Sequence, residues 1–348
     1  SNWGTAANFD HHNMHYWGVW HGPDNFDGFA RYVPRFMTEY GFQSFPQAAA
    51  MAQQIPREHL SLADSLLLSR QKSYKTNAEL IRHLEQHYPM VADYETFAYL
   101  SQLNQQLAME TAINAHRADR ARCSGTRYWQ LNDAWSGATW STIDYTGAWK
   151  AAHYTVRDRY KPVVVLPQLR GDSVSVAVAN DLRKTLPLRM TMTGMTFAGD
   201  TLAFQEQELE MPANGSLKID QWPVVRWLGE KARTEAFLRV ELHGPDSLVD
   251  ATNLFFTEPK ALALSPANAT MQVNQEHGKA VVTIMPETLL KNAWLDAGVP
   301  GTWSANYLDL LPHQPARLTF TPALPGPDSL VIRMLTLNDL LNSSGSDQ

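Results

Sequence analysis

The character of the sequence changes abruptly near Lys161 and Pro162. Seven of the eleven Trp and nine of the twelve His in this chain of 348 residues precede that point. After it, short β-branched runs alternate with Gly, Pro and Asn, a pattern that is typical of β-sandwiches. We therefore predict a mixed α and β unit in the first part of the chain and all-β domains in the rest.

The second part of the chain contains more strands than one small sandwich can use. Its β-branched runs are "VVVLPQ" from Val163, "SVSVAVAN" from Ser173, "LPLRMTMTGM" from Leu186, "AFLRVELHG" from Ala236, "KAVVTIM" from Lys279, "ARLTFTP" from Ala316 and "DSLVIRML" from Asp328. The segment "FFTEPKALAL" (255–264) is predicted to link two sandwiches. We accordingly predict three domains, at residues 1–165, 166–258 and 259–348.

Three short apolar runs in the first part are predicted to be strands: "HYWGVWHG" (15–22), "RFMTEYG" (35–41) and "RYWQLND" (127–133). Two helices are predicted between the last two runs, one behind a capping-box sequence at residues 76–79 and one beginning at Asp93. Strands that alternate with helices favour parallel βα units. Three strands cannot close a barrel of eight, so the pattern fits either an open α/β layer or the last three strands of a barrel.

Charge, cysteine content and motifs exclude several classes of function. The formal net charge is -6 and no basic stripe is present, so nucleic acid is not an expected partner. The sequence has no run of about 18 apolar residues that would span a membrane. P-loop, GxGxxG and GxSxG motifs are absent. NTPase, dinucleotide-binding and serine hydrolase functions therefore lack support, and no cofactor is expected.

The chain has a single cysteine, Cys123, which excludes an intrachain disulfide. We predict that it is a buried, unreactive thiol, because no partner residue for a nucleophile accompanies it. One cysteine does not fix the compartment of a protein. We favour a periplasmic or secreted location over a cytoplasmic one.

Each of the three predicted strands ends in side chains suited to binding a sugar, which presents hydroxyls to polar groups and C–H faces to aromatic rings. In a βα barrel, functional groups collect at the C-terminal ends of the strands. The alternative is that these aromatics belong to the core, their usual place. Three polar and aromatic strand ends together favour a site, whose candidate members are Trp20, His21, Glu39, Trp129, Asn132, Asp133 and Trp135.

Glu39 lies in "PRFMTEYGFQSFP" (34–46), where most of its neighbours are aromatic, apolar or small. A carboxylate in a dry strand is costly unless it is paired or hydrogen-bonded. At the end of a strand that faces a cleft, an ionised Glu can act as a nucleophile or a base. We therefore predict that Glu39 is catalytic.

The string "DHHNMH" contains His11, His12 and His15, whose spacing would allow two metal ligands. A helical HExxH pattern, which would be a stronger indication of a metal site, is absent. We favour a surface loop with hydrogen-bonded histidines and expect no metal.

Four motifs together closely resemble the β-mannosidases of glycoside hydrolase family 2: "HYWGVWHG", "PRFMTEYGFQSFP", "RYWQLNDAWSGATWSTIDYTGAWKAAHY" and "NYLDLLP". The resemblance implies that Glu39 is the nucleophile at the end of the seventh barrel strand. It also implies that Trp129 lines the sugar pocket and that His21 approaches the nucleophile. The implied fold is the C-terminal part of a (β/α)8 TIM barrel followed by two immunoglobulin-like β-sandwiches.

Members of this family are longer, and their general acid/base is the Glu of an Asn-Glu motif at the end of the fourth barrel strand. No Asn-Glu dipeptide occurs in this chain. The resemblance therefore implies a retaining exo-β-mannosidase whose acid/base is supplied by an N-terminal half. That half and a β-mannoside or manno-oligosaccharide substrate are the expected partners, and the chain alone is expected to be catalytically incomplete.

Other interpretations remain open at this point. Asp133 or Asp144 is a possible acid, although Asp133 could instead hold the loop after its strand. The specificity could be that of a β-galactosidase or an exo-β-glucosaminidase of the same family, but the latter typically has Asp in place of Glu39. A non-catalytic carbohydrate-binding fragment would also explain the missing acid/base.

Overall fold

A computed structural model describes residues 2–3, 9–324 and 330–343 of the chain. The first unit is mixed α and β. Its elements are β1 (Asn2–Trp3), β2 (Met14–His15), α1 (Asp27–Arg31), β3 (Met37–Glu39), α2 (Ala48–Met51), α3 (Ser65–Leu68), α4 (Thr76–His87), α5 (Tyr94–Ala118) and α6 (Ala151–Arg159).

The strands of the first unit form a parallel sheet in the order β1-β2-β3. A parallel bridge between Met37 and Thr126 adds the segment that leads into "RYWQLND". Strand β3 is shorter than the sequence predicted, and β1 precedes the first predicted strand. The prediction of a strand at residues 127–133 was wrong, since only the isolated bridge at Thr126 forms next to β3. Of "HYWGVWHG" only His15 is in a strand, because the chain then turns, with the His21 N–H donating to the Trp17 carbonyl at 2.7 Å.

Helix α5 packs behind these strands and holds the loops that follow them. It begins where predicted, with the Asp93 carboxylate accepting from the Thr96 N–H at 2.8 Å. The buried Gln105 side chain donates through Nε2 to the carbonyls of Phe42, Trp140 and Ser141 at 2.8–3.1 Å. One amide thus ties two loops to the same helix, which fixes their spacing at the strand ends.

The middle unit is a sandwich of two antiparallel sheets, β4-β5-β8 and β10-β9-β6-β7. Its core is largely its own and includes Val165, Met192, Trp227 and Val240. Its elements are β4 (Val163–Arg170), β5 (Ser173–Asn180), β6 (Leu186–Thr196), β7 (Thr201–Met211), β8 (Gly215–Pro223), α7 (Val225–Leu228), β9 (Ala236–His243) and β10 (Leu248–Phe255).

The last unit is a second sandwich, with sheets β11-β12-β16-β14 and β15-β13-β17. Its elements are β11 (Ala269–Glu276), β12 (Lys279–Pro286), β13 (Leu290–Asp296), β14 (Gly301–Trp303), β15 (Leu308–Leu310), β16 (Ala316–Pro322), β17 (Arg333–Leu335) and α8 (Leu337–Ser343). Of the predicted run "DSLVIRML", Asp328 and Ser329 lie outside the described residues.

The core of the last sandwich is continuous with that of the first unit. The Tyr99 hydroxyl donates to the Asn292 carbonyl at 2.8 Å, and the Gln47 amide donates to the Tyr307 hydroxyl at 2.9 Å. The rings of Tyr99 and Tyr307 stack with their centroids 6.3 Å apart. The two units therefore share buried surface, although most of the middle sandwich packs on itself.

Across the part of the chain that the structure describes, none of the helices combines the length and the apolarity needed to cross a bilayer.

Candidate active site

Glu39 is the last residue of β3 and lies at the C-terminal edge of the parallel sheet. Its carboxylate is held at both oxygens. The Trp17 indole N–H donates to Oε1 at 3.0 Å, and His15 Nε2 lies 3.6 Å from Oε2. The Glu39 side chain is 25% exposed. The carboxylate is therefore oriented but still open to solvent on one side, as a nucleophile has to be.

The backbone around Glu39 is fixed by its neighbours in the sheet. The Tyr16 N–H donates to the Glu39 carbonyl at 2.8 Å, and the Thr38 hydroxyl donates to the Met14 carbonyl at 2.7 Å. Beneath it the buried Tyr40 ring packs edge-on against His116, with ring centroids 5.1 Å apart. These contacts leave the strand end little freedom.

Tyr40, Thr126 and His116 form a buried network below Glu39. The Thr126 hydroxyl lies 3.2 Å from the Tyr40 hydroxyl and 2.9 Å from His116 Nδ1. Burial raises the pKa of Tyr40 well above its usual value and lowers the pKa of His116 to about 3. Both side chains therefore stay neutral at physiological pH.

The backbone of Trp129 is hydrogen-bonded to Tyr40, the residue after Glu39. The Trp129 N–H donates to the Tyr40 carbonyl at 2.7 Å, and the Trp129 side chain is 45% exposed. The close contact between the end of β3 and the Trp129 segment depends on Gly41, since a Cβ at that position would lie 2.0 Å from the Trp129 carbonyl oxygen. The exposed indole thus belongs to a segment whose backbone adjoins the end of β3, and an exposed aromatic face can stack on a sugar ring.

Asp133 is turned inward. Its side chain is 1% exposed and accepts from Lys72 at 2.6 Å, from Thr139 at 2.9 Å and from Ser141 at 2.5 Å. This arrangement matches the alternative in which Asp133 holds its loop. A carboxylate with three donors and no exposed surface does not present a free oxygen to a sugar.

The other predicted residues differ in their exposure. Trp20 is fully buried and donates to the Ser73 hydroxyl at 3.2 Å, so it supports the site from behind rather than facing a ligand. His21 is partly exposed, and burial is the main cause that lowers its pKa. Asn132 is exposed, with its carbonyl accepting from the Gln130 side chain at 2.9 Å.

Trp135 is 46% exposed and lies under the Lys72 ammonium, with Nζ 4.1 Å from the ring centroid. The same ammonium donates to the Trp135 carbonyl at 2.7 Å. Trp135 is thus available to a ligand in a fixed orientation.

Sequence reasoning missed two residues at this site. Trp17 lies inside the motif "HYWGVWHG", but only its flanking residues were selected. Lys72 lies in "RQKSYKTN", a polar stretch without a recognisable pattern. An indole two residues after a short strand is a signal that could have identified Trp17. Nothing in the local sequence indicates Lys72.

In the described part of the chain, no group of three or more His, Cys, Asp or Glu side chains is placed to hold a metal ion. His15, one of the candidate ligands, faces Glu39 instead. Cys123 is buried, and burial is the main cause that raises its pKa, so the thiol form is favoured.

Two family models match consecutive parts of the chain. A mannosidase Ig/CBM-like domain matches residues 172–261, and the Ig-fold domain of mannosidases matches residues 264–343. The two matches meet within the segment 255–264 that was predicted to link the sandwiches.

Known relatives extend the similarity to the first unit. The β-mannosidase of Capra hircus is 27% identical over 293 residues, which cover 78% of this chain and 33% of the relative. β-Mannosidase A of Aspergillus fumigatus is 27% identical over 328 residues, which cover 83% and 35% respectively. The crystal structure of the β-D-mannosidase of Dictyoglomus thermophilum matches 93% of this chain and 40% of its own, with a TM-score of 0.84 and 25% identity. Over most of its length, the chain is therefore similar to the β-mannosidases of glycoside hydrolase family 2.

The two domain matches and the similarity to the Dictyoglomus thermophilum structure confirm the predicted fold class, the C-terminal part of a TIM barrel followed by two immunoglobulin-like sandwiches. The exo-chitosanase CsxA of Amycolatopsis orientalis has the same fold over 86% of this chain and 41% of its own, with a TM-score of 0.66 at 16% identity. The chain spans 33–35% of the length of the two curated β-mannosidases named above.

Proposed function

We propose that this chain carries the nucleophile, Glu39, of a retaining exo-β-mannosidase that removes terminal, non-reducing β-D-mannose. The position of Glu39 carries the proposal: it ends a parallel strand, one oxygen accepts from an indole N–H at 3.0 Å, and the side chain is 25% exposed. Similarity to β-mannosidases over 78–83% of the chain supports the sugar specificity.

In the proposed reaction, a Glu39 carboxylate oxygen attacks the anomeric carbon of mannose while the bond to the leaving-group oxygen breaks. A second carboxyl, which in retaining enzymes lies about 5–5.5 Å away, gives its proton to that oxygen. The same group then takes a proton from water, which attacks the glycosyl-enzyme and frees Glu39. Trp17 would hold Glu39 in the attacking orientation, and Trp129 would stack on the sugar.

We place the acid/base outside this chain, on an N-terminal half of the same enzyme. The two carboxyls of this chain that were considered for the role are both engaged in holding loops. Asp133 accepts three hydrogen bonds, and Asp144 Oδ1 accepts from the Thr146 N–H, the Thr146 hydroxyl and the Ala148 N–H at 2.7–3.1 Å. The N-terminal half is therefore the proposed partner.

A covalent label tests the assignment of the nucleophile. The intact enzyme is treated with 2-deoxy-2-fluoro-β-D-mannosyl fluoride, which forms a slowly hydrolysed glycosyl-enzyme, and the labelled peptide is mapped by mass spectrometry. We expect the label on Glu39. Label on Asp133 or on any other residue would overturn the assignment.

The matched variants are Glu39→Gln and Glu58→Gln, the second at an exposed carboxylate in the same unit. Glu39→Gln should lower kcat by several orders of magnitude, because the covalent intermediate is lost. Glu58→Gln should stay near wild type. Absence of β-mannoside hydrolysis by the intact wild-type enzyme would overturn the proposed function itself.

A further inference from the structure

The segment that joins α3 to α4, residues 72–74, contacts the site at several points. Lys72 reaches the loop after the last parallel segment, where Nζ lies 2.6 Å from Asp133 Oδ1 and 2.7 Å from the Trp135 carbonyl oxygen. The same Nζ lies 4.1 Å from the centre of the Trp135 ring. Three contacts from one ammonium fix both the backbone and the ring of Trp135.

The next two residues of segment 72–74 reach the loop after β2. The Ser73 hydroxyl accepts from the Trp20 indole at 3.2 Å. The Tyr74 ring stacks on His21 with an interplanar angle of 5° and centroids 5.5 Å apart, and its hydroxyl lies 3.1 Å from His21 Nδ1. One short segment therefore joins the two loops that carry the outer site residues.

Segment 72–74 also places an aromatic ring in solvent. Tyr74 is 78% exposed although its ring is fixed by the stack on His21. Among the described residues, five Phe, Tyr and Trp residues are exposed: Tyr74, Trp129, Trp135, Tyr145 and Phe204. Two of them, Trp135 and Tyr74, are oriented by contacts that involve segment 72–74. A fixed and exposed aromatic surface indicates a binding surface.

We propose that Tyr74 and Trp135 form an outer subsite for the second sugar ring of a manno-oligosaccharide, with Lys72 as the positioning residue of Trp135. The inference rests on the proposed function. An exo-acting enzyme holds one sugar beyond the cleaved bond on the non-reducing side, so a second ring must lie on the leaving-group side. Trp129 adjoins Glu39 and serves the first ring, whereas Tyr74 and Trp135 belong to loops beyond the strand ends.

The test compares two substrates in the intact enzyme. β-1,4-Mannobiose has a second ring, whereas the leaving group of β-D-mannosyl fluoride has none. For Tyr74→Ala, we expect the ratio of kcat/KM for mannobiose to that for the fluoride to fall about three- to tenfold, mainly through KM for mannobiose. Tyr74→Phe keeps the ring and should keep the ratio. Tyr145→Ala, an exposed aromatic away from segment 72–74, should change the ratio by less than about twofold.

The role of Lys72 in positioning Trp135 is tested by substitutions that remove or keep its positive charge. Lys72→Gln should lower the same ratio, and Lys72→Arg should restore most of it, because an arginine can still pair with Asp133 and lie over the Trp135 ring. If Lys72 were merely structural, Lys72→Gln would lower the stability of the enzyme and would lower kcat/KM for both substrates to the same extent. The ratio would then not change.

The outcomes separate the two proposals. If the enzyme hydrolyses both substrates and Tyr74→Ala leaves the ratio within about twofold of wild type, the outer subsite is wrong and the proposed function stands. If the wild-type enzyme hydrolyses neither substrate, the proposed function is wrong and the outer subsite falls with it.

Discussion

At Glu39, one indole N–H donates a hydrogen bond to the carboxylate. Trp17 donates to Oε1 at 3.0 Å. A hydrogen bond to a charged group contributes roughly 1.5–3 kcal/mol. We predict that Trp17→Phe lowers kcat about ten- to a hundredfold, since an aromatic side chain is kept while the N–H donor is lost together with part of the indole volume. Steady-state kinetics on 4-nitrophenyl β-mannoside measure the effect.

The control for this prediction is Trp149→Phe, at a partly buried tryptophan that packs on His153, with ring centroids 4.3 Å apart. It should leave kcat near wild type. Equal kinetics in the Trp17 and Trp149 variants would mean that the Trp17 N–H has no part in orienting Glu39.

Residues differ in how far the sequence reveals them. The strand end at Glu39 was predictable from its motif, because β3 ends at this residue, whereas the predicted strand around Trp129 does not form. The Trp17–Glu39 and Lys72–Asp133 contacts join residues 22 and 61 positions apart. Such contacts depend on the tertiary packing of strands and loops, and the spacing of residues within one motif does not reveal it. The inward orientation of Asp133 has the same origin, since its donors come from the loop and from Lys72.

Between elements, the end of β3 and the segment of Trp129 approach closely at Gly41. A Cβ there would lie 2.0 Å from the Trp129 carbonyl oxygen, so an alanine must push the two backbones apart. We predict that Gly41→Ala costs about 1–3 kcal/mol of unfolding free energy and lowers kcat/KM, because Trp129 moves away from Glu39. Chemical denaturation and steady-state kinetics measure the two effects.

Gly215→Ala is the matched substitution for Gly41→Ala. Gly215 begins β8, and the nearest atoms to a Cβ there lie at an ordinary 3.7 Å. This variant should keep both stability and activity. If the two variants behaved alike, the contact at Gly41 would not position Trp129.

Helix α5 makes the first unit sensitive to acid through His116. Burial lowers the pKa of His116 to about 3 in the folded protein, against about 6.5 in the unfolded chain. Below pH 6.5 the unfolded state therefore binds the proton and the folded state does not, so stability falls as the pH falls towards 3. Between pH 7 and pH 5 we predict that the contribution of His116 to the free energy of unfolding falls by about 2 kcal/mol.

His116→Gln removes the titrating group while keeping a polar side chain beside Thr126. Denaturation at pH 7 and pH 5 should show a smaller loss of stability in this variant than in wild type. His277→Gln, at an exposed histidine, should keep the full loss. An unchanged loss in His116→Gln would show that His116 is not the source.

Element prediction succeeded where one local interaction decides the structure. The start of α5 at Asp93 follows from a carboxylate that accepts from the Thr96 N–H. The capping box at residues 76–79 does not form. Thr76 has a positive φ of 58° and the helix begins after Lys75, while the Glu79 carboxylate pairs with Arg82 at 2.6 Å. A side-chain ion pair thus replaces the expected cap, which the sequence pattern alone does not distinguish.

At the scale of the whole molecule, the parallel sheet is open. Among the described residues it runs β1-β2-β3, with one further bridge at Thr126. Open edges of parallel strands favour pairing with another chain or aggregation. We predict that residues 1–348, expressed alone, show no β-mannosidase activity and bind the separately expressed N-terminal half.

Mixing the two halves and assaying 4-nitrophenyl β-mannoside hydrolysis tests this prediction. Activity that appears only on mixing supports the placement of the acid/base outside this chain. Full activity of the lone segment would contradict both the incomplete-catalysis hypothesis and that placement. The Glu39→Gln segment mixed with the same half is the negative control.

The continuous core between the first unit and the last sandwich limits how this protein can be recombined. The middle sandwich has a core of its own but is ion-paired to the first unit, with Arg117 2.9 Å from Asp181 and Arg159 3.7 Å from the buried Asp250. It can be exchanged for that of a relative only if these two pairs are kept. The last sandwich cannot, because Tyr307 meets Tyr99 and Gln47 across the boundary. In a last sandwich from a relative, the residue in place of Tyr307 would have to fit Tyr99 and Gln47 of this protein, with which it did not evolve. Functional chimaeras should therefore be joined so that the last sandwich and the first unit come from the same parent.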